Sequence, residues 1–154
     1  MTVDHHNFTI ARTYAYTPAQ VFSAWADPAK KALWFGNSPS IEVLESAVDF
    51  RVGGRDHAAS RHERGVTTTF DAEYVSIVDD ELIIYMYSMT LDGAPMSASV
   101  ATIAFEPVEG GTLLTVTEQG AYLGDFAAGG GEGREQGTGH LLTMVGEALD
   151  SLYG

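Results

Sequence analysis

The chain has 154 residues, no cysteine and a formal net charge of −13, with 8 Lys and Arg against 21 Asp and Glu. So acidic a surface argues against nucleic acid and anionic membrane as partners, because both need clustered Lys and Arg. Without cysteine, disulfides, thiolate catalysis and Cys-based zinc sites are excluded, and neutral or cationic small molecules are the partners such a surface favours.

The length suits one domain spanning 1–154, and an apolar fraction of 45% against 19% charged is that of a globular chain with a real core. The opening "MTVDHHNFTI" has no basic region followed by an apolar stretch, so no signal peptide is expected. No apolar run approaches the ~20 residues that cross a bilayer. The expectation is a cytoplasmic protein with residues 1–7 flexible.

"NFTIARTYAY" alternates apolar and polar residues and predicts a first strand around Phe8 and Ile10. "TPAQVFSAWADP" then changes period. Thr17 suits an N-cap, Pro18 the first helical position, and Val21, Phe22 and Trp25 share one side. Asp27-Pro28 closes that helix, and "PAKKALWF" predicts a second short one ending at Gly36.

Strands follow to about residue 119: "SIEVLES", "FRVGGRDHAAS", "VTTTFDAEYVSIV", "ELIIYMYSMT", "MSASVATIAFEP" and "GTLLTVTEQG". Asp92-Gly93 marks a tight hairpin, and the short connections imply an antiparallel meander. Gly53 and Gly54 read as a mid-strand bulge or sharp bend. Residues 124–137 read as a glycine-rich loop. "HLLTMVGEALDSLYG" predicts a terminal helix with Leu141, Leu142, Val145, Leu149 and Leu152 on one face. The expected fold class is α+β, a curved antiparallel sheet of about seven strands wrapped around a long C-terminal helix, with two short helices after strand 1. A bent sheet closed by one helix leaves room inside.

Several motifs have a familiar spacing. Arg12 is followed by Pro18, Val21-Phe22, Trp25 and Asp27-Pro28, and Trp34 comes six residues later. Asp49-x-Arg51-x-Gly53-Gly54, Gly111-Thr112-x-Leu114-Thr115 and Thr117-Glu118-Gln119-Gly120 complete the set. Over nearly its whole length the chain resembles the homologues of the heat-shock protein 90 ATPase activator, of the START-like (SRPBCC) superfamily with the birch-pollen-allergen helix-grip fold. The resemblance implies a cavity for a hydrophobic ligand between sheet and C-terminal helix, no cofactor and, for most members, no established reaction. It is compatible with a homodimer through sheet edges or the helix face. Stimulation of a chaperone ATPase ranks last, since the namesake activators use an additional N-terminal domain. Members often carry Gly-Trp at the start of the last helix. Here that pair is Gly137-Thr138, which implies a wider entrance.

Alternation places Ile103 and Phe105 on one face, and Leu114, Val116 and Glu118 on the matching face of the next strand. Glu118 therefore points inward. It is either a polar anchor for a ligand, a general acid or base, or a carboxylate bonded to Arg51, Arg55 or a Tyr hydroxyl. Tyr74 shares a face with Phe70, while around Tyr85 and Tyr87 both faces are apolar, so either could line the interior. Trp34 is placed to roof a pocket, and Thr138, Leu142 and Val145 to face it from the last helix.

Arg51, Arg55, Arg61 and Arg64, half of the chain's Lys and Arg, cluster with His57 and His62. They read first as a solvated strand and hairpin tip paired with Asp49, Asp56 or Glu63. Capture of an anion by Arg51 or Arg55 at a cavity mouth is the alternative, and a catalytic His57 a third. "DHH" at 4–6 and His62-Glu63 lack the spacing of a metal site, so none is expected. The expected function is binding of a small hydrophobic or amphipathic molecule without catalysis. The alternative is an enzyme of cyclase or hydrolase type using Glu118, His140 or Tyr hydroxyls.

Overall fold

In the computed structural model, which describes residues 1–154, strand β1 (Val3–Tyr14) leads into helices α1 (Pro18–Ala26) and α2 (Pro28–Lys31). Thr17 caps α1 reciprocally: its hydroxyl accepts from the Gln20 N–H at 3.2 Å, and the Gln20 side chain accepts from the Thr17 N–H at 2.9 Å. Such a capping box satisfies two amide donors that the first turn leaves open. Asp27 ends α1 with its N–H donating to the Ser23 carbonyl at 3.0 Å, and its side chain starts α2 by accepting from the Ala29 N–H at 2.9 Å.

Six strands then follow in succession: β2 (Ile41–Val48), β3 (Arg55–His62), β4 (Thr67–Val78), β5 (Leu82–Leu91), β6 (Ala94–Val108) and β7 (Gly111–Leu123). They form one antiparallel sheet with β1, in the order β1-β7-β6-β5-β4-β3-β2. At the β5–β6 hairpin, Asp92 and Gly93 take φ of 48° and 82°, the left-handed pair that matches the twist of the flanking strands. Register shifts at Val43/Glu45, Tyr74/Ser76 and Met89/Thr90 interrupt three ladders. Extra residues of this kind bend a sheet.

Helix α3 (Ala127–Tyr153) closes the structure. Its C-terminal half carries Leu142, Val145 and Leu149, all buried against Leu114 and Val116 of β7 and Phe105 of β6. Val145 and Leu149 are fully buried, and each contributes about 1.5–3 kcal/mol. Phe22 and Trp25 of α1 pack edge-on to Phe105, with ring centroids 5.3 and 5.6 Å away. This end of the molecule is solid.

Three expectations need correction. The N-terminus is strand from Val3, paired with β7 as far out as Val3 opposite Leu123. Gly53 and Gly54 lie in the β2–β3 connection rather than within a strand. Gly53, at φ 79°, donates to the Tyr74 carbonyl, and the Gly54 carbonyl accepts from the Tyr74 N–H, so the connection folds back onto β4. Finally, of residues 124–137 only Gly124–Phe126 form a separate 3-10 turn. The rest belongs to α3, which is broken once, at Ala128 and Gly129.

Glycine normally weakens a helix, but here close packing overrides that preference. A Cβ on Gly131 would lie 2.2 Å from the His6 Cβ, so only glycine lets α3 approach β1 there. His6 Nε2 also meets Glu135 Oε1 at 2.9 Å, and the Tyr14 hydroxyl donates to the Leu142 carbonyl at 2.6 Å. The helix is held along β1 by these contacts.

Candidate functional site

The N-terminal half of α3 faces a hollow of about 550 Å³. From the helix it is bordered by Gly130, Gly133 and Gly137, spaced three and four apart and therefore on one face. A Cβ at Gly133 or Gly137 would meet nothing within 4 Å, so the helix stands back from the sheet here by lacking side chains. Opposite lie Tyr85, Tyr87 and Met89 of β5 with Phe70 of β4. This settles which face of β5 looks inward. Trp34 and Phe35 close the side next to α2, and Ile103, Val116 and Leu142 form the floor against the solid core.

One end of the hollow is polar. Glu118 is only 4% exposed. Its Oε1 accepts from the Tyr87 hydroxyl at 2.5 Å, and its Oε2 meets only the Thr138 hydroxyl, at 3.5 Å. Arg134 donates from Nη1 to the Tyr87 oxygen at 2.8 Å and from Nη2 to Ser97 Oγ at 2.9 Å. Its guanidinium also sits 5.4 Å from the ring centroids of both Tyr87 and Tyr122. Tyr87 thus relays a cation to an anion that do not touch. Burial pushes the Glu118 carboxyl above the ordinary range, opposed by the Tyr87 hydrogen bond and the Arg134 charge. Burial, and then the Glu118 charge, also raises the Tyr87 phenol, which stays a donor at neutral pH.

A second buried polar cluster adjoins the hollow, which its Lys31 also borders. Lys31 of α2 donates to Asp56 Oδ2 at 2.6 Å, the Tyr74 hydroxyl donates to the same oxygen at 2.5 Å, and Asp56 Oδ1 accepts from the Asp49 N–H at 3.3 Å. Lys31 Nζ lies 4.9 Å from the Phe35 ring centroid. This cluster ties α2, the β2–β3 connection and β4 together, and its charges are matched within it.

Of the residues singled out from the sequence, Trp34, Phe70, Tyr85, Tyr87, Ile103, Glu118, Thr138 and Leu142 border the hollow. Tyr74 is turned into the Lys31 cluster, while Phe105 and Val145 belong to the solid core. Arg51 and Arg55 are exposed, pairing with Asp49 at 2.9 Å and Glu73 at 4.0 Å, so neither stands at the mouth. His140 is exposed and borders nothing in the hollow. His62 is no tip residue: it is half-buried, borders the hollow and bonds Thr68 Oγ1 at 2.8 Å. Arg134 and the Lys31–Asp56 pair escaped the sequence reading. The available signal for Arg134 was its place four residues before Thr138, hidden once the glycines had been read as a loop.

On the opposite face of the sheet, His57 is held between two carboxylates, Nδ1 at 2.6 Å from Asp71 Oδ1 and Nε2 at 2.7 Å from Glu45 Oε2. A neutral imidazole donates from one nitrogen only, so this geometry is that of imidazolium. The Asp71 bond first, then the Glu45 bond, raises the His57 pKa above the usual histidine value. With the folded-state value raised, the stabilisation is fully present below the unfolded histidine range and is lost as pH rises through the raised value. In an NMR titration the His57 ring is expected to deprotonate above the ordinary histidine value. Deprotonation at or below the ordinary value would contradict the two-carboxylate clamp.

The model of the family described as "Activator of Hsp90 ATPase homolog 1-like protein" matches residues 15–150. The chain belongs to that family. A protein of Rhizobium loti is 38% identical with a TM-score of 0.86, covering 96% of this chain and 99% of its own. A protein of Rhizobium leguminosarum is 35% identical with a TM-score of 0.92, and the alignment covers 97% of both chains. A protein of Chromobacterium violaceum, 24% identical over 94% of this chain and 96% of its own, shares the fold at a TM-score of 0.77. No curated protein matches the chain. The helix-grip fold expected of this family is the one observed, and no helix is long and apolar enough to cross a membrane.

Proposed function

We propose that the chain binds a small hydrophobic or amphipathic molecule in the hollow between the sheet and the glycine half of α3. The observation that carries this reading is the contrast along one helix. Where α3 bears Leu142, Val145 and Leu149 the interior is filled, and where it bears Gly130, Gly133 and Gly137 a space of about 550 Å³ is left. That volume suits a small-molecule site, as does its lining of aromatic and aliphatic side chains around a few convergent polar groups. Thr138 borders the space where related chains often carry Trp, so it leaves the mouth open to larger guests. The lack of cysteine fits a cytoplasmic setting for this binding.

Binding is favoured over acid–base chemistry between Glu118 and His140, because those two groups are apart. Glu118 is inside and His140 is outside. The test is titration with N-phenylnaphthylamine, an uncharged probe whose fluorescence rises in apolar surroundings, together with thermal melting. Saturable binding and a rise in melting temperature are expected, since a ligand at a hundred times its Kd adds about 2.7 kcal/mol to the folded state. No saturable signal and an unmoved melting curve, across uncharged aliphatic and aromatic compounds, would remove this function.

A further inference from the structure

We infer that the molecule held in the hollow has an uncharged polar end carrying both a hydrogen-bond donor and an acceptor, such as a carboxamide, and that head groups of either charge are disfavoured. This rests on the ligand-binding reading above.

The reason lies in which polar atoms at the closed end are already used. The Tyr87 hydroxyl donates to Glu118 and accepts from Arg134, so it has little left to offer. Arg134 uses one N–H on Tyr87 and one on Ser97, out of the five a guanidinium carries. Glu118 Oε2 has only the long contact to Thr138. What remains at this end of the hollow is therefore one set of donors, on Arg134, beside one acceptor, on Glu118; of the other polar groups bordering the space, Lys31 is bonded to Asp56 and His62 to Thr68. No carboxylate lies within ion-pair distance of Arg134, and no cation within that distance of Glu118.

A carboxylate head group would satisfy Arg134 but bring a second negative charge against Glu118, which is itself buried. An ammonium would satisfy Glu118 but confront Arg134. Juxtaposed like charges away from water are costly, and they sort ligands by repulsion as much as by attraction. A carboxamide avoids both conflicts. Its carbonyl accepts from Arg134, its N–H donates to Glu118 Oε2, and its alkyl or aryl body lies along Phe70, Tyr85 and Ile103.

The experiment displaces N-phenylnaphthylamine with four compounds of equal chain length: decanamide, decanol, decylamine and decanoate. Decanamide is expected to displace the probe best, with decanoate and decylamine each weaker by about tenfold or more. Glu118→Gln keeps a carbonyl for the Tyr87 hydroxyl and removes the negative charge. In that variant the gap between decanamide and decanoate should shrink, while decylamine loses further. Decanoate or decylamine matching decanamide in the unaltered protein, or a gap that Glu118→Gln leaves unmoved, overturns the inference while leaving the binding function in place. Failure of the probe itself to bind brings down both.

Discussion

Replacing Asp56 with alanine is expected to destabilise the protein by about 3–5 kcal/mol, the cost of removing one partner from a buried ion pair. Lys31 is 7% exposed and Asp56 4%, and Asp56 Oδ2 serves both the Lys31 ammonium and the Tyr74 hydroxyl. Without the carboxylate, an ammonium and a phenol are left facing each other at 3.4 Å with no acceptor of comparable strength. Equilibrium urea unfolding measures the loss. The double change Lys31→Met with Asp56→Leu removes both charges and should recover much of it, since an apolar pair of similar size avoids desolvation. A loss below about 1 kcal/mol for Asp56→Ala would show that water reaches the cluster and screens it.

The second large effect concerns ligand binding rather than stability. Gly137→Leu places a side chain where a Cβ meets nothing within 4 Å, so the Cβ itself makes no clash. The helix should gain up to about 1 kcal/mol from losing an interior glycine. Probe affinity should nevertheless fall by about tenfold or more, because the new side chain occupies space the guest needs. Gly131→Leu is the control. It lies one turn and a half earlier on the β1 face, where a Cβ would strike His6, and it should unfold the N-terminal half of α3. Probe binding by Gly137→Leu equal to that of the unaltered protein, measured by fluorescence titration, would place the guest elsewhere.

Much of the fold could be read from the chain because alternation and turn chemistry are local. Thr17 with Pro18 announced α1, Asp92-Gly93 announced a hairpin, and the inward side of β6 and β7 followed from Ile103, Phe105, Leu114 and Val116. The same alternation sent Glu118 inward, where it is found. What could not be read depends on contacts far apart in sequence. The glycines of α3 looked like a loop because the close approach that calls for Gly131 is made by His6, near the other end of the chain. Around Tyr85 and Tyr87 the pattern was ambiguous because the outward face also carries apolar residues, with Met86 46% exposed. The arginines near Gly53 drew attention by their number, yet they lie outside. The cations drawn inward are the buried Lys31 and the half-buried Arg134, one beside Lys30 and the other among glycines and glutamates, so sequence neighbours do not set them apart.

The break between the filled and unfilled parts of α3 separates two demands that usually compete within one protein. From Leu142 onward the helix packs into the core, whereas the guest proposed above would meet the stretch before it. Gly133 and Gly137, where a Cβ meets nothing within 4 Å, are positions at which the chamber can be shortened or re-charged one side chain at a time, while the packed end keeps the scaffold standing.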